Sequence, residues 1–222
     1  MLTLPEQLML IALKDEKGTV LFTAMGILPF SIVGAVLIEL YFANKIDYED
    51  NRIIVKDPTP TGNDFFDEIL KIIVDSGKKK DTKYWMLKIT DKIKNLKERT
   101  LQHLVRSNVL KEEKYKVLSL ITKTKYPTIN PEPEKELRSR IKKFILRHEN
   151  PDERNVALLC LVQVTRLLED LFEKSEIREA KERIDELVER SHMGDAIREE
   201  TSRLIKGVVE GIADASGTGG TI

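Results

Sequence analysis

The chain has 222 residues and a mass of 25.5 kDa, enough for one large domain or two small ones and enough to bury a core. Its 37 Lys and Arg residues balance its 37 Asp and Glu residues, so no whole-molecule field draws it to nucleic acid or membrane and any anion site must be a local patch. A content of 41% hydrophobic and 33% charged residues excludes both a disordered chain and a polytopic membrane protein.

Thr3-Leu4-Pro5-Glu6 has the pattern of a capping box with proline in the first turn, the Thr3 hydroxyl accepting an amide bond while Glu6 reaches back. It predicts a short helix over about 5–13. Glu6 and the lack of early Lys or Arg argue against a secretory signal. Residues 15–18 read as a turn and 19–22 as a strand leading to a loop over 26–29. From Val20 to Ile38 there are 19 uncharged residues, long enough for a membrane span to be considered. Gly26, Pro29 and Gly34 break that run and Thr23 and Ser31 dilute it, so the reading is a buried helix over about 31–43. Residues 45–56, with Asp50-Asn51 between Ile46 and Tyr48 on one side and Ile53 and Val55 on the other, predict a hairpin. A Pro- and Gly-rich stretch over 57–62 ends that unit, and Asn63 or Asp64 caps a helix over 65–74.

A charged loop over 76–82 has Lys78-Lys79-Lys80 at its tip, and 85–108 reads as helical in one or two pieces, with Leu96, Leu101 and Leu104 among its apolar positions. Residues 115–122 are rich in strand formers and give a second hairpin signal. Pro127, Pro131 and Pro133 mark an extended connection before an amphipathic helix over 134–147. Asn150-Pro151-Asp152-Glu153 starts a helix read as running to Phe172, nearly all apolar from Val156 to Val164. Two more amphipathic helices cover 175–190 and 195–213. The expected fold is mainly α: a single-domain helical bundle over 1–215, around the central apolar helix at 155–172, with two or more β-hairpins. A Gly- and Thr-rich C-terminal tail over 216–222 is expected to be flexible.

Catalytic and metal-binding patterns do not stand out. Cys160 is the one cysteine, which leaves no intrachain disulfide framework or multi-cysteine metal site and points to a reducing, cytoplasmic setting. It lies in an apolar helix, where a small buried hydrophobe is the reading. His103, His148 and His192 are scattered without metal-ligand spacing, and the chain has no nucleophile elbow, Walker loop or dinucleotide fingerprint. The expectation is a non-enzyme without cofactor or metal.

Two features remain. Lys94, Lys97 and Arg99, preceded by Lys88 and Lys92, concentrate cations; Lys94 and Lys97, three apart, would share a helix face suited to clamping a phosphate group, or be an ordinary solvated face. The second hairpin offers Val117, Leu118, Leu120 and Ile121 within a rim of Lys114, Lys116, Lys123 and Lys125. That pattern fits interfacial membrane insertion, or a sheet with one face buried. A helix followed by a hairpin, at 31–55 and again at 100–126, also fits a winged helix reading DNA, against which the balanced charge counts.

The segments LTLPEQLMLIALKDEKG, VGAVLIEL, PTGNDFFDEIL, KNLKERTLQHLVRSNVL and ALLCLVQVTRLLEDLF, in this order, resemble the Golgi phosphoprotein 3 family over about residues 2–213. The resemblance implies a mostly helical domain that binds phosphatidylinositol 4-phosphate, inserts a hydrophobic hairpin into the bilayer and, in eukaryotes, holds Golgi glycosyltransferases by their cytoplasmic tails. It places the family's pair of headgroup arginines on Lys94 and Lys97, keeping charge but not the guanidinium fork. The family's pocket tryptophan falls near Ala24 and a further arginine on Val33, so an aromatic wall and one cation are replaced, while Trp85 matches a separate, structural tryptophan. The inserting hairpin falls on 115–122. A peripheral, membrane-associated location is implied, at the Golgi in a eukaryotic host, and self-association is left open.

Overall fold

The computed structural model describes residues 2–14, 18–117, 121–192 and 196–217. It is 62% helical, with nine α-helices and three small antiparallel hairpins among the described residues. The first helix, α1 (Leu4–Ala12), begins as its sequence predicts: the Glu6 carboxylate accepts from both the Thr3 amide and the Thr3 hydroxyl, each at 2.7 Å. Strands β1 (Leu13–Lys14) and β2 (Thr19–Val20) pair in a short hairpin, and a single 3-10 turn over Phe22–Ala24 follows.

Helix α2 (Leu28–Phe42) starts earlier than predicted because Pro29 sits in its first turn, where its missing N–H is not needed, instead of ending a loop. Apart from Ser31 and Glu39, its residues from 31 to 40 are apolar and all of them are buried, as suits a helix enclosed by others. α1 packs on it, and Gly34 lets the last helix approach: a Cβ there would lie 2.8 Å from Val208 Cγ1 and 2.9 Å from Ile212 Cδ1. Asp50 and Asn51 both take positive φ, 48° and 59°, closing the hairpin of β3 (Ile46–Glu49) and β4 (Arg52–Val55) in the register Tyr48 opposite Ile53. Asn63 caps α3 (Asp64–Ser76) by accepting from the Phe65 and Phe66 amides, and Gly77 ends it in the left-handed conformation.

The predicted 85–108 segment is two helices, α4 (Thr82–Lys92) and α5 (Leu96–Arg106), separated by residues 93–95. After β5 (Glu113–Val117) and β6 (Ile121–Lys125) comes α6 (Glu132–Leu146), with Pro133 in its first turn. The apolar helix α7 (Glu153–Val164) ends well short of Phe172. Arg166 takes the left-handed conformation at φ 61°, its N–H bonds the Gln163 carbonyl and the Leu167 N–H bonds the Val162 carbonyl, both at 3.0 Å. This is a Schellman closure with arginine in the seat glycine usually fills. The buried Thr165 hydroxyl donates to the Leu161 carbonyl and lies 2.9 Å from the Ser31 hydroxyl, pinning the end of α7 to α2. The chain then turns so that Leu167, Leu168, Leu171 and Phe172 enter the core separately.

Helices α8 (Ile177–His192) and α9 (Ala196–Ala215) complete the bundle. Two apolar helices share the centre: α7 packs on α2, and α9 lies against both. No helix among the described residues is long and apolar enough to cross a membrane.

Candidate functional site

The β5–β6 hairpin is bound to the body at its root. Gly18, at φ 56°, offers its carbonyl to the Tyr126 N–H at 3.1 Å, and a Cβ at Gly18 would collide with the Tyr126 backbone, so only glycine fits. Leu110 bridges to Thr128, and the Lys111 N–H bonds the Pro127 carbonyl at 3.0 Å. Gln102, on α5, donates to Glu112 at 2.6 Å. Burial raises the pKa of the Tyr126 hydroxyl, with the nearby Glu112 and Glu98 charges adding to the effect and a Gln102 hydrogen bond opposing it. The middle of α5, through Gln102, and the hairpin root are therefore in contact.

Beyond the root the hairpin stands in solvent. The register runs from Glu113 opposite Lys125, through Tyr115 opposite Lys123, to Val117 opposite Ile121. Successive residues of a strand point to opposite faces, yet Lys114, Tyr115, Lys116, Thr122, Lys123 and Thr124 are all exposed. A sheet lying on the body would bury alternate positions, and these arms do not. Glu113 is held between Lys111 at 2.6 Å and Lys125 at 2.8 Å, whose hydrogen bonds bring its carboxyl down to about 2. Lys116 and Lys123 have no carboxylate within ion-pair distance among the described residues. Val117 and Ile121 are the last paired backbone positions, and Leu118 and Leu120 lie outside the described residues.

Lys94, Lys97 and Arg99 fall at the α4–α5 junction but do not form one face. Lys94 lies in the turn before α5, so the expected helical pairing of Lys94 with Lys97 does not occur. Its ammonium bonds Asp91 at 2.8 Å, and that bond and charge hold the Asp91 carboxyl below its usual value. Lys97, in the first turn of α5, is 3.4 Å from Glu98. Arg99 turns toward α3, pairing with Glu68 and stacking over the Phe65 ring at 5.1 Å. Each of the three cations thus has a protein carboxylate partner. Asp91 and Glu98 are close in sequence to the lysines they meet, whereas Glu68 comes from another helix.

Ala24 and Val33, at the positions the resemblance assigns to a pocket tryptophan and arginine, are completely buried, while Phe22, two residues before Ala24, is 87% exposed. Trp85 is completely buried, as fits a structural role. An open cleft of about 580 Å³ lined by Phe42, Asp152, Arg154, Val156, Leu187 and Arg190 pairs no nucleophile with a base. Among the described residues, no group of three or more His, Cys, Asp and Glu side chains is placed to hold a metal ion. Cys160 is buried, which pushes its thiol up to about 12, far from a nucleophile's range.

The geometry is that of a helical body carrying a free-standing, lysine-bearing hairpin beside a cationic helix junction. The model of the Golgi phosphoprotein 3 (GPP34) family matches residues 4–205, nearly the whole length, and the chain belongs to that family.

Proposed function

We propose that the protein is a non-enzymatic peripheral membrane protein that binds anionic lipid headgroups, phosphatidylinositol 4-phosphate among them, through Lys94, Lys97 and Arg99. In this reading the hairpin residues Val117, Leu118, Leu120 and Ile121 enter the acyl boundary. The observation that carries the reading is the exposure of both faces of the β5–β6 arms, with Lys116 and Lys123 unpaired on them among the described residues. Lysines at that level meet anionic headgroups while the apolar tip between them leaves water. The contact of α5 with the hairpin root through Gln102 would let headgroup and wedge act on one membrane. Family membership adds an adaptor role, gripping cytoplasmic tails of membrane enzymes, as a further step of the same proposal.

Replacement of Arg by Lys at the family's paired positions predicts charge-driven rather than headgroup-selective binding, because a lysine presents a point charge without the planar fork. Co-sedimentation with neutral, phosphatidylglycerol and phosphatidylinositol 4-phosphate vesicles at matched charge tests this. Pelleting with both anionic sets and not the neutral set is expected, with L118E/L120E removing it at unchanged melting temperature. Failure to pellet with any vesicle, or salt-steep binding to duplex DNA in its place, would overturn the reading.

A further inference from the structure

At the α3–α4 corner, a different cluster of cations lacks the carboxylate partners that Lys94, Lys97 and Arg99 have. Lys78, Lys79 and Lys80 are exposed in the loop and Lys88 is half-buried on α4; none of the four has a carboxylate within ion-pair distance among the described residues. The acidic groups nearby are committed elsewhere: Asp75 to Lys71, Asp214 to Lys83, and Asp81 to the Tyr84 amide as the α4 cap. Lys80 Nζ stands 5.6 Å and Lys88 Nζ 5.5 Å from the centre of the Tyr84 ring, and Lys88 Nζ donates to the Ser76 hydroxyl at 2.9 Å. Partial burial would raise the Tyr84 hydroxyl pKa, but the Lys88 hydrogen bond, the Lys78 and Lys88 charges and Ser76 outweigh it and bring it down. In a chain of zero net charge, ammonium groups gathered on one ring without a counter-ion repel one another.

We propose that Lys78, Lys80 and Lys88, with the hydroxyls of Ser76 and Tyr84, form a phosphate-binding site separate from the headgroup cations at the α4–α5 junction. Lysine serves such a site as a movable point charge, and the two hydroxyls add neutral hydrogen bonds. Lys88 lies on α4 four residues, about 6 Å of helix axis, before its end, but its ammonium is at Ser76 and the Tyr84 ring, toward the start of the helix and away from the α4–α5 junction. The shared ligand chemistry is a phosphate monoester, carried either by a soluble molecule or by a lipid.

Trp85 is the chain's single tryptophan, packed edge-on to Tyr84 at 5.2 Å with Lys88 Nζ 5.2 Å from its ring centre, so it reports on the site by fluorescence. The purified full-length protein is titrated with inositol 1,4-bisphosphate and with inorganic phosphate, by Trp85 emission and calorimetry, and separately with phosphatidylinositol 4-phosphate vesicles. Saturable binding of either soluble probe is expected, weakened about tenfold or more in K88M and in K78A/K80A and unchanged in K135A, which removes an exposed lysine of α6 paired with Glu132. If the phosphate is lipid-borne, the soluble probes are silent and vesicle binding falls in K88M and K78A/K80A with the protein still folded by circular dichroism. No binding of any probe, or binding indifferent to K88M and K78A/K80A, overturns the site. Loss only in K94A/K97A would place the phosphate at the α4–α5 junction instead.

Discussion

Glu39 of α2 holds Arg154 at the start of α7 with both carboxylate oxygens, one at 2.8 Å, and the same carboxylate accepts the Leu4 amide of α1 at 2.6 Å. Three helices far apart in sequence therefore meet at one charge, which is largely buried. Removing one partner of such a pair leaves an uncompensated charge. R154M is expected to destabilise the fold by about 3 kcal/mol. At roughly 2–4 °C per kcal/mol for a chain of this size, calorimetry should show a clear drop in melting temperature. R154K keeps charge but not the two-pronged grip and should fall between.

The carboxylate partners of Lys94 and Lys97 compete with any lipid phosphate for the same ammonium groups. Neutralising them in D91N/E98Q should strengthen binding to phosphatidylglycerol vesicles. K94A/K97A should weaken it, each lysine contributing about 1 kcal/mol near a charged surface. If D91N/E98Q binds no better than wild type, these lysines do not meet the headgroups.

Several elements were legible because their determinants are local. Asp50-Asn51 announces a turn with two positive φ values, and Thr3 with Glu6 and Asn63 with the following amides announce helix starts. The end of α7 was not legible, since arginine at 166 occupies a left-handed seat that composition rules assign to glycine, and what holds it is the buried contact of Thr165 with Ser31 across the core. The same divide runs through the candidate site. The apolar tip and lysine rim can be read from residues 111–125, but the Arg99 pairing with Glu68 and the gathering of Lys80 and Lys88 on Tyr84 arise only when α3, α4 and α5 pack.

Lys116 and Lys123 are exposed, lack partners among the described residues and sit on opposite arms of the hairpin. K116A/K123A should weaken anionic-vesicle binding by about 2 kcal/mol, roughly thirtyfold at low salt, and the effect should shrink as salt is raised. The melting temperature should not move, because neither side chain packs on the body. A thermal shift would mean that the arms are part of the fold's support.

Cys160 is enclosed in α7, and burial, with the Asp185 charge adding, pushes its thiol up to about 12. At pH 8 the native protein should resist an aromatic disulfide reagent, reacting only as fast as it opens, whereas the unfolded chain should react at once. Native-state labelling at the unfolded rate would contradict the burial of this helix.

Glu113 ties the hairpin root through Lys111 and Lys125, and their hydrogen bonds lower its carboxyl from 4.5 to about 2. A group whose pKa is depressed on folding contributes stability that is fully present above the unfolded value and is lost as pH falls through the folded one. The root pairing should thus be complete above about pH 4.5 and fade toward pH 2. Carboxyl NMR should find Glu113 still ionised at pH 3.5, where glutamates of ordinary pKa are mostly protonated. E113Q frees both lysines and removes one negative charge at the base of the hairpin, so it should tighten binding to phosphatidylglycerol vesicles at neutral pH while leaving binding to neutral vesicles unchanged. An ordinary titration of Glu113 together with unaltered vesicle affinity in E113Q would show that the root charges neither pair in solution nor face the membrane.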